Sequence, residues 1–225
     1  MRLASASSFA LILSLAACAR APTTTAVAES DARAEKPGAS PKRRAVGTDP
    51  GHVGRGTPLA PREGNELAAF AAGCFWGMED TFRQVPGVVA TAVGYAGGHT
   101  DEPTYTTVCS HTTGHAETVL VEFDPKVVRY ETLVNVFFKN HDPTTKNRQG
   151  PDVGDQYRSA IFYFSPAQEA AARAGVQREQ PDRKKPIVTE ISPIGRYWKA
   201  EEYHQQYDEK TGTHSCPTPL GLQGT

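Results

Sequence analysis

The order of apolar runs along the chain predicts an α+β domain in which helices pack on a mixed β-sheet in two layers. Short apolar and β-branched runs, typical of strands, are interspersed with amphipathic or alanine-rich stretches that are typical of helices. The two kinds of segment do not alternate strictly, which argues against an all-parallel sheet. With 225 residues, the chain has room for one such domain plus extra segments, and its core need not depend on disulfides.

Each element has its own sequence signal. Strands are predicted at residues 66–71, 88–95, 117–123, 159–164 and 187–191. In the third of these, polar residues alternate with apolar ones, as in a strand with two differently buried faces. Helices are predicted after Cys74, around the apolar stripe of residues 133–138, and from Pro166 to Gln180, where proline opens an alanine-rich stretch.

Polar loops separate these elements. A glycine-rich loop carries Tyr105 and Cys109, and a longer polar loop covers residues 142–156. Loops of the second length in compact domains are usually functional or disordered. We expect the folded region to run from about Glu63 to Tyr207 and to continue into an irregular tail.

The charge balance excludes one class of partner. The formal net charge is -1, and the short basic runs at residues 42–44 and 183–185 lack interleaved aromatic residues. No nucleic-acid partner is therefore expected.

The N-terminus predicts export. Arg2 precedes an apolar stretch at residues 9–15 that is too short to span a membrane, and small residues then lead to Cys18. This pattern resembles a bacterial lipoprotein signal peptide over residues 1–18, with Cys18 as the acylated first residue of the mature chain. An ordinary secretory signal with an incidental cysteine is the alternative, and it also takes the protein out of the cytoplasm.

Residues 19–62 are predicted to form a disordered tether, because they are rich in alanine, threonine, proline and glycine and hold almost no large apolar side chains. The domain at residues 63–225 would then sit at the periplasmic side of a membrane. Ala19, which is not acidic, matches sorting to the outer membrane if the cell is Gram-negative.

Cys74 is the most informative residue of the domain. It follows a predicted strand and precedes a predicted helix, where unpaired backbone amides and the helix dipole favour the thiolate. A buried, inert cysteine is the alternative. Glycines near Cys74 favour the reactive interpretation, since glycine lets a ligand approach backbone amides.

A metal site is the competing interpretation of the other cysteines and histidines. The candidate ligands are Cys109, His111, His115, His214 and Cys216. They include no Cys-x-x-Cys pair, and their spacing fits no zinc template, so no metal is expected.

An ordered set of motifs resembles the A type of peptide methionine sulfoxide reductase. The motifs are Gly73–Gly77 (GCFWG), Gly94–Gly98 (GYAGG), Pro103–Tyr105 (PTY), Gly114–Glu117 (GHAE), His141–Thr144 (HDPT), Asn147–Gly150 (NRQG) and Gln156–Ser159 (QYRS). The resemblance covers the region from about Leu67 to Tyr207. We therefore expect a two-layer α+β sandwich with a mixed sheet, related to the ferredoxin-like architecture and ending in a long irregular C-terminal tail.

The resemblance implies a role for each catalytic residue. Cys74 would attack the sulfoxide sulfur and end as a sulfenic acid. Glu117 would protonate the sulfoxide oxygen, which requires burial to keep its acid form populated near neutral pH. Tyr105 and Tyr157 would hydrogen-bond that oxygen as charge builds on it.

The remaining site residues would shape the pocket. Phe75 and Trp76 would pack against the methyl group of the substrate, and Asp152 would order the site, for example through water. Each of these side chains, taken alone, is also compatible with an ordinary structural role.

Turnover requires a second thiol. Cys216, in the tail, would attack the sulfenic acid and form a disulfide with Cys74, with Cys109 as the alternative resolving residue. A thioredoxin-like dithiol protein working outside the cytoplasm would reduce that disulfide, and no bound cofactor is expected.

The resemblance thus implies a monomeric enzyme that reduces the S epimer of methionine sulfoxide, in proteins and as the free amino acid. A lipid-anchored module that binds oxidised methionine or a metal without turnover is the alternative. His204 is expected on a C-terminal helix, with no assigned role.

Overall fold

The structure is a computed structural model that describes residues 46–53 and 59–213. Its strands are β1 (Glu66–Ala72), β2 (Val88–Ala96), β3 (Ala116–Phe123), β4 (Arg148–Gln149), β5 (Asp152–Val153), β6 (Ser159–Tyr163), β7 (Glu190–Pro193) and β8 (Tyr197–Lys199). Its α-helices are α1 (Phe75–Arg83), α2 (Tyr105–Cys109), α3 (Tyr130–Lys139), α4 (Pro166–Glu179) and α5 (Tyr207–Thr211). Short 3-10 helices cover Pro50–His52, Asp155–Tyr157, Gln180–Asp182 and Glu202–His204.

Six of these strands form one mixed sheet in the order β7-β6-β1-β3-β2-β8. The pairing of β6 with β7 is parallel, whereas the other four pairings are antiparallel. A mixed sheet with helices confirms the predicted α+β class. Its relation to the ferredoxin-like architecture stays a prediction, and residues 214–225 of the predicted tail lie outside the described residues.

Alternate side chains of β1 enter two different clusters, because successive side chains of a strand point to opposite faces of the sheet. Ala68, Phe70 and Ala72 join a cluster with the apolar sides of α1 and α3. Ala69 and Ala71 face a second cluster, which includes Ala, Leu and Phe side chains of neighbouring strands. The sheet is therefore covered on both faces.

Caps in the sequence start two of the helices. The Ser165 side chain accepts a hydrogen bond from the backbone N–H of Gln168, and proline follows Ser165 at the first position of α4. Thr104 forms a reciprocal capping box with Thr107 at the start of α2. The second cap fixes the backbone at Tyr105, the first residue of α2.

The strand β3 is buried along its whole length, including its glutamates. The Glu122 carboxylate, which is 0% exposed, accepts hydrogen bonds from the backbone N–H groups of Gly51 at 2.9 Å and Arg62 at 3.0 Å and from the Asn65 side chain at 2.7 Å. The expectation of two differently buried faces is wrong here, because both faces of β3 are buried, and at Glu122 the covering groups come from the N-terminal segment.

This segment also alters the predicted domain boundary. Val53 is buried, and Gly47 bridges to Ala90 of β2. Residues 46–53 and 59–62 therefore pack on the domain, although they were predicted to belong to the tether at residues 19–62. Residues 1–45 lie outside the described residues, so the signal peptide, the lipidated Cys18 and the rest of the tether stay predictions.

Other differences lie in short or edge elements. β7 begins at Glu190, three residues after the predicted start at residue 187. The helix α2 and the hairpin of β4 and β5 lie in segments predicted as loops, and β8 was not predicted. Within the described part of the chain, no helix has the length and apolar character needed to cross a membrane.

Candidate active site

Cys74 lies at the junction of β1 and α1, as the sequence predicts. It is the N-cap residue of α1 and is half-buried. Gly73 adopts a φ of +91°, and a Cβ at this position would lie 2.6 Å from the side chain of Gln149. The sharp turn and the close packing of Gln149 therefore require a glycine here. We expected the glycines near Cys74 to leave room for a ligand, whereas the space beside Gly73 is occupied by Gln149.

A cavity of about 390 Å³ opens beside Cys74. Its lining residues are Cys74, Phe75, Trp76, Tyr105, Glu117, Asp152 and Tyr157. These seven residues are the ones that the sequence predicts as catalytic or substrate-binding. The fold therefore brings together residues from β1–α1, α2, β3 and the segment around β5, although more than 80 positions separate the first from the last.

Glu117 lies at the start of β3 and is 2% exposed. Its Oε2 accepts a hydrogen bond from the backbone N–H of Phe75 at 3.1 Å, which places the carboxyl group at the N-terminus of α1. Burial raises the pKa of Glu117 to about 8, the Phe75 hydrogen bond opposes that rise, and the charge of Asp152 adds to it. Glu117 is therefore mostly protonated at neutral pH, and its second oxygen is the one left to donate the proton.

Tyr105 and Tyr157 reach the cavity from two different segments. Burial, together with a hydrogen bond to Cys109, raises the pKa of Tyr105 to about 12. Burial, followed by the charge on Glu117, also raises the pKa of Tyr157 above its ordinary value. Both residues keep their phenolic protons at neutral pH and can donate hydrogen bonds.

Asp152 belongs to the small hairpin, where it pairs with Gln149. Gln149 packs against Gly73, so the hairpin brings Asp152 beside the cavity. Its negative charge raises the pKa of Glu117. The structure thus shows an electrostatic effect of Asp152 on Glu117, whereas its role in ordering the site stays a prediction.

Phe75 and Trp76 form the aromatic side of the cavity. Phe75 is 1% exposed, and Trp76 is half-buried with its indole stacked on Tyr207 at a centroid distance of 3.9 Å and an interplanar angle of 12°. An apolar group bound beside Cys74 would therefore meet aromatic carbon.

Two residues of the C-terminal segment, to which the sequence analysis assigned no role, contact residues of the cavity. His204 was expected on a C-terminal helix and is the last residue of the short 3-10 helix Glu202–His204. Its Nδ1 accepts the indole N–H of Trp76 at 3.0 Å. The Glu201 carboxylate accepts the backbone N–H of Tyr105 at 2.9 Å. No motif in the run from Glu201 to Tyr207 indicates these contacts, which join residues about 100 or more positions apart in the sequence.

Of the two other predicted redox cysteines, Cys109 lies among the described residues and Cys216 lies outside them. Cys109 is half-buried on α2, and burial raises the pKa of its thiol while the Tyr105 hydrogen bond opposes the rise. Cys216 and His214 lie outside the described residues. Among residues 46–53 and 59–213, no group of three or more His, Cys, Asp or Glu side chains could hold a metal ion.

The arrangement combines three chemical functions in one cavity. A cysteine at a helix N-terminus supplies a nucleophile, a protonated carboxyl group supplies an acid, and two phenols supply hydrogen bonds to an oxygen that gains charge. An apolar aromatic wall lies on the same cavity.

Comparisons with known proteins agree with this chemistry. A sequence profile of the family described as "Peptide methionine sulfoxide reductase" matches residues 66–223. A relative called peptide methionine sulfoxide reductase MsrA, from Methanosarcina acetivorans, is 63% identical over 156 residues, which cover 68% of this chain and 82% of the relative. A relative of the same name from Geobacter sulfurreducens is 59% identical over 153 residues, or 67% of this chain and 94% of its own.

Solved structures give the same result. The reduced form of Mxr1 from Saccharomyces cerevisiae superposes with a TM-score of 0.67 at 40% identity, over 70% of this chain and 92% of its own. Methionine sulfoxide reductase A of Corynebacterium diphtheriae superposes with a TM-score of 0.65 at 42% identity, over 69% of this chain and 79% of its own. Sequence, fold and site together show that the chain belongs to the peptide methionine sulfoxide reductase family.

Proposed function

We propose that this protein reduces methionine sulfoxide to methionine, in proteins and as the free amino acid, and that it acts on the S epimer at sulfur. The burial of Glu117 in the same cavity as Cys74 is the observation that carries the proposal, and this burial raises the pKa of Glu117 to about 8. A nucleophile alone would not suffice, because the sulfoxide oxygen must gain a proton as its bond to sulfur breaks.

The first step transfers the oxygen atom. The Cys74 thiolate attacks the sulfoxide sulfur, Glu117 donates a proton to the oxygen, and the hydroxyl group passes to the Cys74 sulfur while the thioether leaves as methionine. Cys74 is oxidised by two electrons to the sulfenic acid, and the substrate sulfur is reduced by two. Tyr105 and Tyr157 donate hydrogen bonds to the oxygen as its negative charge develops.

The aromatic wall selects the substrate. The methyl group and the thioether carbons pack on Phe75 and Trp76, where sulfur and methyl groups interact favourably with aromatic rings. Because sulfur in a sulfoxide is a stereocentre, fixing the methyl group on this wall and the oxygen near Glu117 leaves one epimer correctly placed for attack.

The second step regenerates the thiol. The Cys216 thiol attacks the Cys74 sulfenic acid, so that a disulfide forms and water leaves. A thioredoxin-like dithiol protein then reduces the disulfide by exchange and becomes a disulfide itself. No bound cofactor enters this scheme, and Cys109 is the alternative resolving residue.

We also propose that the enzyme works as an exported monomer. Residues 1–18 would be removed as a lipoprotein signal, and acylated Cys18 would anchor the chain at the periplasmic side of a membrane, the outer membrane in a Gram-negative cell. Incorporation of radiolabelled palmitate that is lost in Cys18→Ser supports this anchor; unmodified protein in the soluble fraction refutes it.

The central experiment supplies purified enzyme and dithiothreitol with a peptide carrying either the S or the R epimer of methionine sulfoxide. We expect the wild type and Cys109→Ser to reduce the S epimer and Cys74→Ser to reduce neither. Absence of product with the wild type would favour a binding module, and equal reduction of both epimers would contradict the proposed geometry.

A further inference from the structure

We propose that His204 is a positioning residue for substrate binding, because its Nδ1 accepts the indole N–H of Trp76 and fixes the wall on which the substrate methyl group packs. This inference deepens the proposed function and depends on it for its kinetic consequences. His204 does not line the cavity, so it would act through Trp76 and not by touching substrate.

The contact joins two distant parts of the chain. Trp76 is the second residue of α1, and His204 lies 128 positions later. The Trp76 Nε1–His204 Nδ1 distance is 3.0 Å. The Tyr207 ring stacks on the face of the indole, with 3.9 Å between the ring centroids. Stacking limits the tilt of the ring, whereas the directional hydrogen bond limits its rotation within its own plane.

The surroundings of His204 suggest that its acceptor atom is the reason for a histidine at this position. The side chain is 1% exposed, and its ring lies 5.1 Å from that of Phe75 and 4.8 Å from that of Tyr105, between centroids. Because Nδ1 accepts from Trp76, the neutral ring carries its proton on Nε2, and this buried atom has no hydrogen-bond partner among residues 46–53 and 59–213. Such orphan donors are rare and destabilising, and a phenylalanine would fill the space without one.

The backbone that carries His204 is itself held firmly. The Gln205 side chain accepts from the backbone N–H of Val93 and donates to its carbonyl, both at 2.9 Å. Gln206, with a φ of +49°, donates from both its backbone and its side chain to buried Glu79 at 2.7 Å. His204 is therefore an acceptor at a fixed position, and this position determines the orientation in which the Trp76 indole can donate its N–H.

The kinetic test compares three substitutions of His204. Asparagine places a carbonyl oxygen near the position of Nδ1, glutamine places one near Nε2, and leucine offers no acceptor. We expect His204→Asn to keep a KM near that of the wild type for the S-sulfoxide peptide. His204→Gln and His204→Leu should raise KM by about threefold to tenfold with a smaller change in kcat, since one neutral hydrogen bond is lost from a binding wall.

A spectroscopic readout separates this role from general packing. The chain has two tryptophans, so Trp198→Phe leaves the indole N–H of Trp76 as one signal in a ¹⁵N-labelled spectrum. The signal should be shifted downfield and protected from exchange in this background and with His204→Asn, and should lose both properties with His204→Leu. If asparagine behaves like leucine, or if leucine leaves KM and the signal unchanged, the inference is overturned.

The wild-type protein provides a test that needs no stable variant at His204. The ¹⁵N spectrum of the His204 ring should show a proton on Nε2 and none on Nδ1; the opposite tautomer would refute the hydrogen bond. If the wild type has the expected tautomer and protected indole but reduces no sulfoxide, the proposed function fails while the Trp76–His204 contact stands.

Discussion

Replacement of Glu117 by glutamine tests the chemical step most directly. At an ordinary glutamate pKa of 4.5, about 0.3% of the carboxyl groups would be protonated at pH 7, whereas a pKa of about 8 leaves about 90% protonated. The buried position therefore increases the population of the acid form about 300-fold at pH 7.

This population predicts the pH dependence of the first step. With the wild type, the rate of methionine formation should fall about tenfold per unit above pH 8, because the acid form of Glu117 is lost there. Glutamine keeps an oxygen that can accept the Phe75 N–H but has no carboxyl proton to give. Glu117→Gln should therefore be slower by about 10²- to 10⁴-fold near pH 7 and should lose the fall above pH 8.

The assay is a single turnover without external reductant. Enzyme in excess is mixed with the S-sulfoxide peptide, quenched at intervals, and the peptide masses are measured between about pH 6 and 9.5, a range that brackets the raised pKa. This design removes the ionisation of the external thiol from the result. Glu131→Gln, on the exposed first turn of α3, is the matched control and should follow the wild type.

One result would refute the reasoning. If Glu117→Gln retains both the rate and the fall above pH 8, then another group supplies the proton, and the burial of Glu117 has only a structural meaning.

Four further predictions follow from the same contacts. Asp152→Asn should move the alkaline fall of the single-turnover rate to lower pH, because it removes a charge that raises the pKa of Glu117; an unmoved profile would contradict this. Between pH 4.5 and about 8 the folded protein holds a proton on Glu117 that the unfolded chain has lost, so the stability of the wild type falls as pH rises. Relative to Glu117→Gln, the wild-type free energy of unfolding, measured in urea, should fall by on the order of 4 kcal/mol across that interval. A difference between the two proteins that stays constant with pH would argue against a raised pKa. Glu122→Ala should lower the free energy of unfolding at pH 7 by about 3–5 kcal/mol, because buried donors lose their partner. This loss should shrink as the solution is acidified through the lowered pKa of Glu122. Glu122→Gln is the size-matched control. Without external thiol, Cys216→Ser should form one methionine per enzyme, as the wild type does, but should leave no disulfide on Cys74 by mass spectrometry. Linkage of Cys74 to Cys109 in the wild type would reassign the resolving residue.

The central strands could be predicted from the sequence because their apolar runs are long and continuous. β1 and β2 begin at the predicted residues, and an N-cap residue and a proline mark the start of α4 in the sequence. Edge strands such as β8, which pairs with β2 over three residues, depend on tertiary contacts that leave no periodic signal.

The residues that line the cavity could also be predicted from the sequence, but the distant residues that bury them or hold them in place could not. The seven cavity residues carry reactive or aromatic groups in a recognisable order. In contrast, the pKa of Glu117 depends on burial by residues distant in sequence. The N-terminal segment was missed for the same reason: it has few apolar side chains, and Glu122 holds it through backbone N–H groups that composition does not reveal.

The end of α5 has a consequence for enzyme recycling. Gly212 donates its backbone N–H to the Asp208 carbonyl at 2.9 Å, and Thr213 donates its hydroxyl to the Asp208 side chain at 3.2 Å. Three peptide units then separate Thr213 from Cys216, so their Cα atoms lie within about 11 Å of each other whatever path the chain takes. So short a link keeps the Cys216 sulfur near the end of α5, the helix whose first residue, Tyr207, stacks on Trp76. In the scheme proposed above, a thiol attached in this way reacts with the oxidised enzyme intramolecularly and has an advantage over dilute thiols in the surrounding fluid.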